Sequence, residues 1–171
     1  MRQKLTQSNK DKIKIYIKSI LIPVIVGGLV GVLISKLIDY NTIHKPPLSP
    51  PSTAFPIAWT ILYILMGISY GILKNQYINN LSVLNNKEGK LLSTKQLYYV
   101  QLAVNALWSI IFFIFKWRLF AFIWILILII LVILMIIDFY KKNKLAGLLQ
   151  IPYLLWLIFA AYLNLGVYIL N

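Results

Sequence analysis

The chain has 171 residues, of which 60% are hydrophobic and only 12% charged, and its mean hydropathy is +0.80. These values exclude a soluble globular domain and indicate an integral membrane protein. The formal net charge is +13, but the cations cluster at the ends of apolar runs. They therefore indicate the orientation of the chain in the membrane rather than a nucleic-acid partner. The absence of cysteine excludes disulfides and thiolate chemistry.

Five apolar runs are each long enough to cross a hydrocarbon core of about 30 Å. Because backbone groups in lipid must satisfy their own hydrogen bonds, each run is predicted to be a helix. We therefore predict an all-α integral membrane protein with a five-transmembrane-helix bundle in residues 19–171, after a basic cytoplasmic segment in residues 1–18. Residues 75–95 are predicted to be a mobile polar linker. The predicted spans are Ser19–Ile38, Phe55–Leu73, Leu97–Phe115, Leu119–Ile137 and Leu145–Leu170.

The distribution of cations predicts the orientation of the chain. With the N-terminus inside and the C-terminus outside, thirteen of the seventeen Lys and Arg residues fall on the inner side. A secretory signal is the alternative for the first run, but the run ends in SKLID, residues 35–39, without a small-x-small cleavage pattern. The cations expected outside are Lys36, Lys45, Lys116 and Arg118.

Small residues and prolines predict how the helices pack. Gly27 and Gly31 in the first span and Gly67 and Gly71 in the second are each four residues apart. Such pairs let helix backbones approach closely, either within one bundle or across a dimer, and packing within the bundle is favoured here. Two prolines are predicted to kink a helix or to begin its regular part. They are Pro23 and Pro152.

A proline-rich segment, residues 44–56, follows the first span and holds five of the seven prolines. Prolines fix φ and push the preceding residues towards extended geometry, so the segment is predicted to be stiff and largely non-helical. It is either a cover over the mouth of the bundle or a plain rigid connector. His44 is the chain's single histidine and its candidate metal ligand, but a lone loop histidine is more often solvated, and no metal site is predicted.

Three spans carry single-faced stripes of aromatic and polar residues at helical spacing. Aromatic residues at span ends usually form an interfacial belt, but Trp156 lies near the middle of its span. The polar stripe of the third span indicates either interhelical hydrogen bonds or the wall of a ligand cavity. The stripes are Trp59, Tyr63, Met66 and Tyr70; Gln101, Asn105 and Ser109 with Trp108; and Tyr153, Trp156, Ala160 and Asn164.

A known family signature is matched by residues 40–68, which read YNTIHKPPLSPPSTAFPIAWTILYILMGI. The stretch resembles that of the translocator protein family, also called tryptophan-rich sensory proteins or peripheral-type benzodiazepine receptors. NALWSIIFF, residues 105–113, and IPYLLWLIFAAYLN, residues 151–164, are also similar to the family. The chain departs from the family pattern at Asp39, Leu48 and Trp124.

The resemblance implies a five-helix bundle, usually a homodimer, whose outer first loop closes over a cavity. It implies binding of porphyrin or haem, and of isoquinoline- and benzodiazepine-like compounds. Some bacterial members are reported to break down porphyrin in light, which would give Trp59 and Trp156 a catalytic part. By position, the implied ligand-binding residues are Tyr40, Pro51, Trp59, Tyr63, Asn105, Trp108, Ser109, Trp156, Ala160 and Asn164.

Physical pattern and resemblance together favour a membrane receptor or sensor for tetrapyrroles, because flat apolar rings bind well between aromatic faces with a few polar groups. The alternatives are a light-dependent porphyrin-degrading enzyme and a facilitative transporter of small apolar solutes. No required cofactor is expected; the expected partners are the tetrapyrrole ligand, the bilayer and a second copy of the chain. A composition rich in Lys, Ile and Asn indicates a bacterial cytoplasmic membrane.

Overall fold

The computed structural model describes the backbone of residues 9–35, 42–80 and 88–171, which form an all-helical bundle. Five helical segments of this described part are long and apolar enough to cross a membrane, as predicted. The last of them is divided in two. The helices are α1 (Asn9–Ser35), α2 (Ala54–Asn80), α3 (Glu88–Phe113), α4 (Arg118–Lys142), α5 (Lys144–Leu148) and α6 (Ile151–Leu170).

The helices extend beyond the predicted spans at the end of the bundle that carries Asn9. Helix α1 begins ten residues before the predicted Ser19, so half of the segment predicted as a separate basic tail is helical. The linker predicted for residues 75–95 is too long at both ends, because α2 continues to Asn80 and α3 begins at Glu88. Hydropathy locates the hydrocarbon core, whereas helices continue into water wherever the residues are good helix formers, such as Lys, Gln and Leu. Residues 81–87 lie outside the described part.

The helices pack in a closed ring around a shared interior. Helix α1 packs against α2 and α3, α3 packs against α4, and α4 packs against α6. The ring closes through α2, which contacts α5 and α6. Residues far apart in sequence on α2, α3 and α6 are therefore brought to one interior.

The predicted fifth span is divided into a short first helix and a longer main helix. Helix α5 ends at Leu148, and α6 begins at Ile151 with Pro152 in its first turn. Proline lacks a backbone donor and suits the first turn of a helix, so Pro152 starts the regular part of the span, as predicted. Pro23, by contrast, is buried inside α1.

Side chains hold the helices together at the end of the bundle opposite the proline segment. Asp138 and Lys142 form an ion pair one turn apart on α4, with 2.6 Å between Oδ1 and Nζ. The buried Thr94 hydroxyl of α3 donates to Asp138 Oδ2 at 2.9 Å and also contacts Lys142 Nζ. Asn143 accepts from the Ala146 backbone N–H at 3.1 Å, which caps α5. This polar group ties α3 to α4 and fixes the turn into α5.

The contact between α1 and α2 depends on glycines. A Cβ added at Gly67 would lie 2.4 Å from the Ile20 Cα, so the two backbones touch there. Gly27 accommodates the Tyr63 ring, and Gly71 accommodates the Tyr16 ring. The predicted role of these glycines in packing within the bundle is confirmed at these three positions.

Candidate ligand site

The proline segment lies across the end of the bundle where α6 terminates, and we call residues 44–53 the lid. Pro46 is buried against Gly166 of α6, where an added Cβ would lie 2.5 Å from the Pro46 Cβ. The Tyr162 hydroxyl donates to the Pro47 carbonyl at 2.8 Å. The His44 N–H donates to Asn171 Oδ1 at 3.0 Å, and Asn171 Nδ2 donates to the His44 carbonyl at 2.9 Å. The lid is thus fastened to α6 along its first half.

The lid keeps its shape through local contacts as well. The Ser49 hydroxyl donates to the Pro46 carbonyl at 2.7 Å, and Leu48 has a left-handed φ of 66° with its side chain exposed. The Ala54 N–H donates to the Pro51 carbonyl at 2.9 Å, which leads the chain into α2. Because the prolines restrict the unfolded chain, ordering this segment costs less entropy than ordering a flexible loop.

Beneath the lid, aromatic rings from α2 and α6 meet in a group that we call the aromatic cluster. Trp59 stacks on Tyr63 with 5.4 Å between ring centroids. It also meets Tyr153 and Trp156 of α6 edge to face, at 6.2 and 6.5 Å. Phe55 meets Trp156 at 6.0 Å. The stripes predicted on the second and fifth spans therefore face each other.

A ladder of buried polar groups lies directly against this cluster, and we call it the polar ladder. Asn105 Nδ2 donates to the Tyr153 hydroxyl at 2.7 Å, and that hydroxyl donates to Gln101 Oε1 at 3.1 Å. Gln101 Nε2 completes the series by donating to Met66 Sδ at 3.3 Å. The ladder joins α2, α3 and α6, so it confirms the interhelical hydrogen bonds predicted from the polar stripe.

Trp108 belongs to a neighbouring arrangement nearer the lid. Its Nε1–H donates to Asn164 Oδ1 at 3.2 Å, and Asn164 Nδ2 donates to the Arg118 carbonyl at 2.8 Å. Its ring stacks on Phe112 at 5.5 Å. Trp108 and Asn164 therefore link α3, α4 and α6, and the single N–H donor of the Trp108 indole is already paired.

Two buried polar atoms beside the aromatic cluster have no hydrogen-bond partner within the described residues. They are Asn105 Oδ1, an acceptor, and Trp156 Nε1–H, a donor. An unpaired buried polar group costs roughly 1–3 kcal/mol, so such groups are unusual in a packed interior. A ligand with both donor and acceptor groups would satisfy them.

The remaining site residues implied by the resemblance are placed less centrally. Ala160 is buried beside the cluster on α6, whereas Ser109 is only half-buried. Pro51 is exposed on the lid, and Tyr40 lies outside the described residues. The His44 side chain is exposed, as expected of a solvated histidine.

Tyr153 and Gln101 take a larger part in the contacts of the candidate site than their positions in the predicted stripes suggested. Both were noted for their spacing, but neither was included among the candidate ligand-binding residues. Tyr153 contacts the Trp59 ring and bonds both Asn105 and Gln101. The sequence could have indicated Tyr153 as a candidate site residue, because it lies one turn before Trp156 on the same face of α6.

Two open concavities, of about 770 and 400 Å³, lie at opposite ends of the bundle. The larger one is at the lid end, beside Arg118 and Asn171. The smaller one is at the other end, between Lys14, Lys18 and Lys74. Residues of the aromatic cluster line neither, because their rings pack against one another.

The ring of five spans, the packed aromatic interior and the proline segment across one end define a helical membrane protein with an aromatic interior between its helices. The sequence matches the TspO/MBR family over residues 19–170, and the chain belongs to that family. It is 35% identical over 133 residues to the tryptophan-rich protein TspO of Archaeoglobus fulgidus, covering 77% of this chain and 79% of the relative. It is 36% identical to protein CrtK of Rhodobacter capsulatus, with 77% and 78% covered. A translocator protein homolog of Schizosaccharomyces pombe is 33% identical, with 88% of each chain covered.

Proposed function

We propose that this protein is a membrane receptor that binds porphyrin- or haem-type tetrapyrroles between α2, α3 and α6 and so influences tetrapyrrole handling. Isoquinoline- and benzodiazepine-like compounds would occupy the same site. No further cofactor is part of this proposal. Family membership supports it, and the names TspO and CrtK are carried by relatives of this chain.

The unpaired Trp156 N–H and Asn105 Oδ1 are the observation that carries the proposal. Both atoms adjoin rings of the aromatic cluster, which offer flat apolar faces. A tetrapyrrole supplies flat aromatic faces together with peripheral carboxyl groups, which can accept a hydrogen bond from the Trp156 N–H and, when protonated, donate one to Asn105 Oδ1. Binding would replace the edge-to-face contacts of Trp59 with stacking on the ligand.

A titration of the protein with protoporphyrin, in nanodiscs of neutral phosphatidylcholine, tests the proposal. Tryptophan emission is expected to fall saturably as porphyrin binds. The Trp156→Phe variant is expected to bind about fivefold more weakly, which corresponds to one hydrogen bond of about 1 kcal/mol. Loss of the N–H itself should not lower the thermal stability, because that group is unpaired, so any fall should be limited to the effect of the smaller ring on its contact with Trp59.

Trp124→Phe is the matched control. Its N–H is already bonded to the Val104 carbonyl at 2.9 Å, and Trp124 is not among the implied ligand-binding residues, so this variant is expected to lose stability while keeping wild-type porphyrin affinity. Quenching that rises linearly without saturation, or equal affinities for wild type and Trp156→Phe, would contradict the proposed site.

The proposal includes the cellular setting. We propose a bacterial cytoplasmic membrane, an N-terminus inside and a C-terminus outside, on the basis of the cation distribution. We also propose the homodimer that the family resemblance implies. Cross-linking of the protein in native membranes tests the dimer, which is excluded if only monomers are captured.

A further inference from the structure

The smaller concavity lies between α1 and α2, at the end of the bundle where α1 begins. Its volume is about 400 Å³, and small-molecule sites commonly have volumes of about 300–1,000 Å³. The lining contains three cations and one carboxylate, which gives a net charge of +2, and we call it the basic groove. The residues that line it are Asp11, Lys14, Ile15, Lys18, Lys74 and Ile78.

The close contact of α1 with α2 brings the three lysines together. Gly71 of α2 accommodates the Tyr16 ring of α1. One turn further towards the same end, Lys74 of α2 lines the groove with Lys14 and Lys18 of α1. The last two are four residues apart, which is about 6 Å along a helix. Because the glycine contacts hold the two backbones against each other, the lysines are kept around one small space.

The positive charge of the basic groove is not neutralised by an ion pair within the described residues. The ion pair of that part of the chain joins Asp138 to Lys142 on α4. Asp11, the acidic residue of the groove, is exposed and lies within 4 Å of no lysine nitrogen among the described residues. Like charges held close together repel each other, so an anion placed between the lysines would be stabilised.

The basic groove lies where the apolar parts of both helices end. After Lys18 the rest of α1 contains no charged residue, and α2 contains none before Lys74. The face of α1 that carries Lys18 continues at helical spacing into exposed apolar side chains. The groove is therefore at the depth of lipid headgroups, beside a surface suited to acyl chains. The exposed side chains of this face are Ile22, Ile25 and Leu29.

We propose that the basic groove binds the headgroup of an anionic phospholipid, with the phosphate between Lys14, Lys18 and Lys74. Basic pockets between membrane helices are suited to such headgroups. The acyl chains lie along the exposed apolar face of α1, and the Asp11 carboxylate accepts a hydrogen bond from a headgroup hydroxyl, as phosphatidylglycerol offers. Phosphatidylcholine is disfavoured, because its choline adds a positive charge and has no hydrogen-bond donor. This inference goes beyond the proposed function and does not depend on it.

Native mass spectrometry of the detergent-solubilised protein tests this inference, because it counts the bound lipids and gives the affinity of each. The wild type is expected to bind one phosphatidylglycerol molecule about tenfold more tightly than phosphatidylcholine, as two net cations near a membrane surface allow. The triple variant Lys14→Gln/Lys18→Gln/Lys74→Gln should bind the two lipids equally.

The matched control is Lys95→Gln/Lys141→Gln/Lys144→Gln, which removes three exposed lysines at the same end of the bundle, outside the groove. It should keep the preference for phosphatidylglycerol. Both triple variants have the same net charge, so a general attraction of a basic protein to anionic lipid predicts equal losses in the two. If the groove variant is unstable, the single variant Lys74→Gln gives the comparison, with an expected loss of about two- to threefold.

Competition with inorganic phosphate and with glycerol 3-phosphate separates a lipid site from a site for a free phosphate anion. Neither compound should displace phosphatidylglycerol at an equal concentration, because neither has acyl chains that bury apolar surface. Displacement by either one would overturn the assignment to a lipid. Equal affinities of the wild type for the two lipids, or equal losses in the two triple variants, would overturn the site itself and leave the proposed function untouched.

Discussion

Buried polar side chains distinguish the interior of this bundle from a simple aliphatic core. The inward face of α3 carries Thr94, Tyr98, Gln101, Asn105 and Trp108, each buried and each able to hydrogen-bond. At 1.5 Å per residue these positions extend over about 21 Å of the membrane depth. Their spacing alternates between four and three, which keeps them on one face.

The polar stripe predicted from regular spacing of four was therefore only partly right. Gln101 and Asn105 face inward as expected, but the next inward position is Trp108, and Ser109 is half-buried. The reason is that an α-helix has 3.6 residues per turn, so a spacing of four repeated twice drifts away from the face.

Replacing Tyr153 with Phe tests the importance of the polar ladder. The change leaves Asn105 Nδ2 and Gln101 Oε1 without the partner that they share, while the ring is kept. We expect the free energy of unfolding to fall by about 1–2 kcal/mol, since hydrogen bonds between membrane helices average about 0.6 kcal/mol and reach about 1.7. Unfolding by sodium dodecyl sulfate in mixed micelles measures it.

Tyr162→Phe provides the comparison on the same helix. Its hydroxyl bonds the Pro47 carbonyl at the exposed edge of the lid, where water can replace the bond. This variant should lose less than about 0.5 kcal/mol. A Tyr153→Phe protein as stable as wild type would show that the ladder contributes no net stability.

At the scale of elements, close helix contact is concentrated between α1 and α2. Gly67 lies against the α1 backbone at Ser19 and Ile20, whereas a Cβ added at Gly31 would meet none of the described atoms within 4 Å. The same sequence pattern thus marks one glycine in tight contact and one facing outward. Spacing alone does not distinguish them, because it reveals nothing about the partner surface.

Replacing Gly67 with Ala is expected to destabilise the bundle. The new Cβ would lie 2.4 Å from Ile20 Cα and 2.7 Å from the Ser19 carbonyl oxygen, and backbone atoms cannot turn aside as a flexible side chain can. Overpacking of this kind costs about 1–3 kcal/mol. The apparent melting temperature in detergent should fall accordingly.

Gly31→Ala is the control for that change. With open space around Gly31, the substitution should leave stability unchanged or raise it slightly, because Ala is the better helix former. Equal losses in both variants would show that the contact between α1 and α2 at Gly67 is not the cause of the destabilisation.

At the scale of the whole molecule, the ring separates two chemically different ends. One end carries the lid and the larger concavity, and the other carries the Asp138–Lys142 pair and the lysines around the smaller concavity. The proposed orientation places the lid outside and the lysine-rich end in the cytoplasm.

Cysteine labelling tests this orientation, and the absence of native cysteine leaves no background. Ser52→Cys, on the exposed lid, should react with a membrane-impermeant maleimide in intact cells. Lys141→Cys, exposed at the other end, should react only after the membrane is permeabilised. The reverse pattern would place the lid in the cytoplasm.

The sequence by itself determined the five spans, the stiffness of the proline segment and the faces that carry the aromatic stripes. These follow from local rules: a bilayer requires long apolar helices, proline restricts its own dihedral angle, and the helical period fixes which residues share a face. For this reason Trp59 and Trp156 were expected inside the bundle before any contact between them was known. The break before Pro152 also followed from the missing backbone donor.

Only the tertiary structure decided which helix faces meet and which polar atoms lack a hydrogen-bond partner. Trp108 and Trp156 look alike in sequence, yet one N–H is bonded to Asn164 and the other has no partner among the described residues. Likewise, Arg118 and Asn171 lie 53 residues apart in the sequence and come together only at the larger concavity. Helical periodicity specifies only the direction of each side chain around its own helix axis. Contacts between residues of different helices depend on how those helices are positioned against each other, which is determined by packing over the whole bundle.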